Sequence, residues 1–405
     1  MMNSKFKIEN MEENSENNLY ANLKEAFLLR EDITFLNFGS FGATPKPIFD
    51  AYQRFQRELE YEPVQFIVNK GPEYLKESRI RLAEFINCKA DNLVYVPNPT
   101  FAVNIVAGSL DLKPGDEVLT TDIEYGACDR TWEFYCGKKG AKYIKQPISL
   151  PIESKEAFLS DFWKGFSEKT RLVFISQITS ATGLILPVKE ICEEAKRRGL
   201  LVFIDGAHVP AHIHLNLTSL DADFYTGACH KWMMTPKGSS FLHVKPEHQE
   251  QLDPLVVSWG YNADFPSHSQ FLDYHQFNGT RDFSAYLTIP EAIDFMKWHD
   301  WWGVAEGCRM LVQKWLPRLC ELVGSKPLAP VTDEFIGQLG SIPVRCENPI
   351  ELKNILYNEY QLEIPVMVQN GQVYVRYSIN AFNTEEDLVK LEAVLKELLE
   401  RKLIY

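Results

Sequence analysis

The chain has no run of about 18 apolar residues, the length a membrane-spanning helix needs, so no span is expected. Its opening, MMNSKFKIENMEENSENN, is polar and charged with no apolar centre, so it does not read as an export signal. Clustered basic charge is lacking too. Lys and Arg number 42 against 55 Asp and Glu, a net charge of -13, and such a surface offers little to nucleic acid or to an anionic membrane. Cysteine is sparse and scattered: the eight residues contain no C-x-x-C pair or other metal-ligand spacing, and Cys192 and Cys229 fall in expected elements. That usage points to reduced thiols in the cytoplasm. Repeats and low-complexity blocks are absent. What is left is an acidic chain of 405 residues, long enough for two or three domains and a core that needs no staples.

Residues 1–17, rich in Asn, Glu and Ser, are expected to be a disordered tail, with structure starting near Leu19. A short helix precedes ITFLNFGSFGATPKP, whose glycines and prolines predict a shaped loop. Helical periodicity follows from about Ile48 to Leu59 and from Pro72 to Ile86. Strands are then suggested at Leu93 to Val96, Glu117 to Thr121, Lys142 to Pro147, Arg171 to Ser176, Leu200 to Asp205, Asp223 to Thr226 and Ser240 to Val244, most of them separated by helices. This βαβ rhythm implies a largely parallel sheet covered on both faces. The texture changes near Gly260, where YNADFPSHSQFLDYHQFNGTRD is polar and turn-rich. Pro290 then opens a long expected helix to about Val323, followed by strands near Gln338 to Arg345 and Gln372 to Tyr377 and a helix from Glu385 to Arg401. A domain change belongs between Gln270 and Pro290.

The candidate chemistry gathers at strand ends. The run Leu201 to Ile204 reads as a central strand, and Asp205 ends it where open α/β sheets bind ligands; a solvated strand-end acid is the alternative. Lys231 lies between Tyr225 and Trp232 in an apolar stretch, where a desolvated lysine has a lowered pKa and can form a Schiff base, although a snorkelling lysine is also consistent with the pattern. Asn98, Pro99, Thr100 and Phe101 open a helix after a strand, a place suited to a phosphate or to a plain N-cap. Tyr125 follows the next strand and can stack on a planar group or be an ordinary half-buried ring. Ser180 and Thr182 sit past RLVFIS, either as ligands or as turn residues. Among His208, His212 and His214, Pro210 breaks any helical H-x-x-x-H face and no carboxylate has fitting spacing, so no metal is expected. Arg376, in an otherwise apolar strand, needs an anion: a substrate carboxylate or a structural partner.

The segments LNFGSFGATP, DIEYGA, IDGAHVPAHI, CHKW-x4-KG, GTRD and VRYSINAFNTEEDL, spread from Leu36 to about Leu399, together resemble the class V aminotransferases. These are fold type I enzymes dependent on pyridoxal 5'-phosphate (PLP), and within them the segments resemble the isopenicillin N epimerase-like branch. The resemblance implies an α/β fold with a large domain built on a mostly parallel seven-stranded sheet and a smaller α+β domain. It divides the chain into an N-terminal segment at 18–70 packing on the small domain, a PLP-binding domain at 71–280 and a C-terminal domain at 281–405. It makes Lys231 the Schiff-base lysine, Asp205 the partner of the pyridine nitrogen and Tyr125 the stacking ring. His208 is implied at the cofactor's phenolic oxygen, which Ser180 and Thr182 could also bond unless they meet the substrate, with Thr100 and Phe101 at the phosphate end and His230 at the phosphate or the ring. Thr280 is implied to reach the phosphate of a neighbouring chain in a homodimer with shared sites. Arg376 would hold the substrate carboxylate, with Asn37 and Ser40 beside it.

Two positions depart from the family pattern: Ala228 replaces a phosphate-binding serine, and Gln65 stands where epimerase-like chains often carry arginine. The implied reaction is PLP chemistry at the α-carbon of an amino acid or a derivative. The alternatives are a C-S lyase of the ergothioneine-pathway type and a PLP-binding regulatory module without turnover. Cysteine desulfurase activity is not expected, because the span from Leu362 to Arg376, LEIPVMVQNGQVYVR, carries no cysteine and Cys346 sits at a strand end.

Overall fold

The computed structural model of the protein describes residues 23–405, so the expected tail at 1–17 and the start near Leu19 lie outside the described residues. The chain enters through β1 (Thr34–Phe35), and helices Lys46–Tyr61 and Gly71–Ile86 follow. The next seven strands are β2 (Leu93–Val96), β3 (Glu117–Thr121), β4 (Lys142–Gln146), β5 (Thr170–Ser176), β6 (Leu201–Gly206), β7 (Phe224–Ala228) and β8 (Ser240–Val244). They form one sheet in the order β2-β8-β7-β6-β5-β3-β4. Pairing is parallel from β4 through β7, while β8 runs antiparallel to both β7 and β2. Because both sheet faces are covered, β3, β7 and β8 are buried at every position, whereas edge strand β4 leaves Lys142 and Lys145 exposed. Val103, Trp132, Phe174 and Phe203 form the core on one face, beneath helices Pro99–Ser109 and Gly126–Lys139. On the other face Ile175, Ile204 and Tyr225 join a larger core shared with helix Val188–Arg197.

Beyond this sheet lie β9 (Leu339–Val344), β10 (Leu362–Glu363), β11 (Val366–Gln369) and β12 (Gln372–Ser378). The antiparallel set β11-β12-β9 places Arg376 opposite Ser341, and β1 pairs in parallel with β10, tying residues 34–35 to the C-terminal part. Residues 37–44 are thereby held between that part and the Lys231 turn.

Two expectations are corrected. The segment ITFLNFGSFGATPKP is not simply a loop, for it contains β1 and a one-turn helix, Phe38–Phe41. Distant partners hold that turn: the Phe38 N–H donates to Ser378 Oγ at 2.6 Å, a contact 340 residues away that no local pattern reveals. The long helix from Pro290 to Val323 is instead two helices, Ile289–Trp298 and Trp301–Leu322. Asp300 at φ 44° redirects the chain so that Trp301 buries its ring and donates its indole N–H to Ala211 O at 2.8 Å.

Candidate active site

A cavity of about 350 Å³ opens at the carboxyl edge of the sheet, where strand ends and helix starts converge. Asp205, Ala207 and His208 line it from the end of β6, and His230 and Lys231 from the turn after β7. Asn98, Pro99 and Thr100 come from the helix after β2, Tyr125 from the end of the β3 connection, and Ser176, Ile178 and Ser180 from the end of β5. Ser40 and Phe41 close it from the one-turn helix. That closure depends on Gly42. At φ 66° it lies so near the Lys231 turn that a Cβ there would stand 2.4 Å from His230 O and 2.7 Å from Lys231 O.

Lys231 is half-buried, and its Nζ is 3.2 Å from His208 Nε2. Burial first, and the nearby Arg376 charge second, bring its pKa down to about 8. Asp205 is buried, and burial raises its pKa. Its Oδ1 accepts from the Ala207 N–H at 2.9 Å and its Oδ2 faces the Cys128 thiol at 3.5 Å, with no ion pair to any described residue. The Lys231 charge favours its ionised form at a distance, but no cation among the described residues is in contact with it. His230 spends Nδ1–H on Ser239 O at 2.8 Å, and burial lowers its pKa to about 4.

Asn98 caps the helix, accepting from the Phe101 N–H at 2.9 Å, so Thr100 stands in the first turn where N–H groups favour an anion. Phe101 is half-buried against the core on that face and does not line the cavity. Tyr125 is 45 % exposed at the mouth, the accessibility a stacking ring needs. Arg376 is buried behind Ser40 and Ser180: one amino group donates to the Ser180 carbonyl, the other to Ser40 Oγ at 3.2 Å, and its Nε–H has no partner. Asn37 is one step further back, accepting from Ser40 Oγ at 2.5 Å.

Not every candidate converges. Thr182 bonds Thr179 at 2.6 Å within a turn and is not a wall of the cavity. His212 is committed to the backbone, with Nδ1 on His208 O at 2.8 Å and Nε2 accepting from the Gln338 N–H at 2.6 Å. His214 packs on Trp302. No group of three or more His, Cys, Asp or Glu among the described residues is placed to hold a metal. Gln65 is exposed and bonded to Asn69. Thr280 is exposed beside a separate pocket lined by Ile67, Pro72, Trp259 and Phe277, away from Lys231 in this chain.

Residue reasoning missed three side chains. Glu124 is buried, accepting from Thr121 Oγ1 at 2.6 Å and from Ser176 N at 2.9 Å, and burial drives its pKa up to about 8. Ser176, on the cavity wall, was legible only as the last residue of RLVFIS. Cys128 lies on a helix face with no motif around it, and its contact with Asp205 spans 77 residues.

The sheet order, the strand-edge cavity and its lysine and acid define an α/β enzyme of the PLP-dependent fold type I class. The chain belongs to the class V aminotransferase family, whose model, described as Aminotransferase class-V, matches residues 43–391. It is 32% identical over 397 residues to isopenicillin N epimerase of Amycolatopsis lactamdurans, covering 94% of this chain and 98% of that one. A putative L-cysteine desulfhydrase 1 of Oryza sativa subsp. japonica is 29% identical over 409 residues, covering 90% of this chain and 82% of that one. Among solved structures, a lysine mutant of C-DES with glycine covalently linked to its PLP cofactor superposes with a TM-score of 0.78 at 21% identity, covering 92% of this chain and 99% of that one. At that identity the likeness is one of fold.

Proposed function

We propose that this protein holds PLP in the cavity at Lys231 and acts at the α-carbon of an amino acid or an amino-acid-derived substrate. The observation that carries the reading is that one cavity joins a half-buried amine to a buried carboxylate that has no ion-pair partner in contact with it among the described residues. The residues present fit the cofactor. A pyridine nitrogen bearing a proton would be the contact partner Asp205 lacks, the first turn of helix Pro99–Ser109 with Thr100 and His230 would suit the phosphate, and Tyr125 would cover the ring. Bound there, PLP supplies an electron sink for the bond broken at the α-carbon.

The chain's own residues do the rest. Arg376, buried behind Ser40 and Ser180 with its Nε–H unpartnered, would hold the substrate carboxylate, and Asp205 would hold the proton on the ring nitrogen. Lys231 Nζ, unprotonated above about pH 8, takes or returns the α-proton, and His208 Nε2 beside it stands ready to donate to an oxygen. Returning that proton on the opposite face gives an epimer, and returning it elsewhere gives transamination. Loss of a β-sulfur substituent gives C-S cleavage, the second reading, which the similarity to a desulfhydrase supports. A thiolate-dependent desulfuration does not fit. Cys346 follows β9, and burial raises the pKa of both its thiol and that of Cys128, which keeps them protonated.

The remaining parts of the reading concern assembly. A homodimer would bring Thr280 of one copy to the other's phosphate end, and the exposed Val257, Trp259 and Phe265 in the preceding segment are the surface it would cover. Residues 71–280 would carry the cofactor and 281–405 the carboxylate clamp. Free cysteines and a chain without a helix long and apolar enough to cross a membrane, among the described residues, suit a cytoplasmic enzyme. The test is a panel of L-amino acids and sulfur-containing conjugates in deuterated water, following α-proton exchange, keto-acid and sulfide. Exchange with some member of the panel is expected. A loaded protein that exchanges none, and whose visible band none of them shifts, contradicts an enzymatic role and leaves the non-catalytic module.

A further inference from the structure

Trp232 follows Lys231 directly and is fully buried, packed on Phe38 at 5.2 Å and stacked on His212 at 3.9 Å between ring centroids. Its indole N–H is a donor with no lone pair to offer. That N–H meets Nδ1 of His208 at 3.3 Å. Nδ1 must therefore accept, which places the proton of a neutral His208 on Nε2; an imidazolium would turn two donors against each other. Nε2–H in turn faces Lys231 Nζ at 3.2 Å. The contact between them is a hydrogen bond only when the lysine nitrogen has a lone pair, that is, when it is an amine and not an ammonium.

We propose that Trp232 is a positioning residue: its indole fixes His208 as the Nε2–H tautomer, whose N–H favours the amine over the ammonium form of the Lys231 nitrogen and sets a neutral N–H donor beside it in the cavity. The neighbouring imidazole shows that the device is local, because His212 is held in the opposite tautomer, donating Nδ1–H to His208 O and accepting from the Gln338 N–H at Nε2. The charges around the relay keep a proton off His208 and act in both directions on Lys231. Lys231, Arg376, His212 and His230 all disfavour a proton on His208, and Arg376 opposes one on Lys231 while Asp205 and Cys128 favour it. Desolvation acts on both groups toward the neutral form.

The inference rests on Lys231 being the working amine of the proposed site, but its test does not need the cofactor. Apo-protein labelled with 15N-histidine is examined by long-range 15N–1H correlation, with His208 assigned by its loss in His208→Gln. The expected spectrum shows His208 with a protonated Nε2 and a bare Nδ1 through the neutral range, and His212 with the reverse. In Trp232→Phe, His208 is expected to sample both tautomers, and acylation of Lys231 at neutral pH to slow by up to about tenfold, as one pKa unit implies. A wild-type His208 protonated at Nδ1 overturns the proposal, as does a Trp232→Phe protein in which tautomer and acylation rate are both unchanged. Should that variant fail to fold, the wild-type spectrum alone decides. Failure of PLP to attach at Lys231 would instead strike the proposed function and leave the tautomer result standing.

Discussion

The two flanks of the protein are built to different standards. At the sheet edge, Asp205, Glu124, His208 and Trp232 are buried and hydrogen-bonded, Asp205 to Ala207, Glu124 to Ser176 and Trp232 to His208, and the Lys231 turn is pinned by paired N–H groups of Cys229 and His230 on Ser239 O. In the segment from Leu255 to Phe277, Val257 is 70%, Trp259 83% and Phe265 95% exposed, with Thr280 just beyond. A single chain thus completes the amine-and-acid half of the site and leaves apolar side chains in water on the other side. The difference teaches where each kind of residue gets its energy: the first set from this chain's own packing, the second, in the reading given above, from another copy.

Substitutions separate the two flanks, and the largest effect belongs to the first. Lys231→Ala should lower turnover by about 10³-fold or more while leaving the fold intact, since it removes both the attachment point and the proton carrier; steady-state rates and circular dichroism check this. Asp205→Ala comes next, with turnover down by about 10²- to 10³-fold although PLP still binds, because the ring charge loses its partner. Near-normal turnover there would remove Asp205 from the chemistry. Arg376→Ala should raise KM for amino acids by about 10- to 100-fold with a smaller change in kcat, the loss of a charge-assisted hydrogen-bonded pair.

On the other flank, a chain carrying Lys231→Ala mixed with one altered at Thr280 should recover part of the activity in hybrid dimers. A fully active monomer in light scattering would break the comparison. The smallest effect is in pH. Lys231 has its pKa lowered to about 8, so capture of PLP by apo-protein should quicken as pH rises toward that value and level off above it; a rate independent of pH across that window would show that the amine is not limiting.

The sheet was legible because central strands covered on both faces are largely apolar, as Val173 to Ile175 and Val202 to Ile204 are, and because Asp205 ends such a run with a charge. Long-range partners were not legible. Nothing near Phe38 announces Ser378, and nothing near Cys128 announces Asp205. The break at Asp300 was hidden for the same reason, since Ala211 O, which Trp301 reaches, lies 90 residues back in the chain. Arg376 could be read as needing an anion, but only the structure shows that Ser40 and the Ser180 carbonyl take two of its nitrogens and leave Nε free.

The most direct test of the central claim is borohydride reduction of the PLP-loaded protein followed by peptide mapping. A pyridoxyl group on Lys231, and its disappearance in Lys231→Ala, is the expected result. A pyridoxyl group on any other lysine, or none on fully loaded protein, would contradict the account.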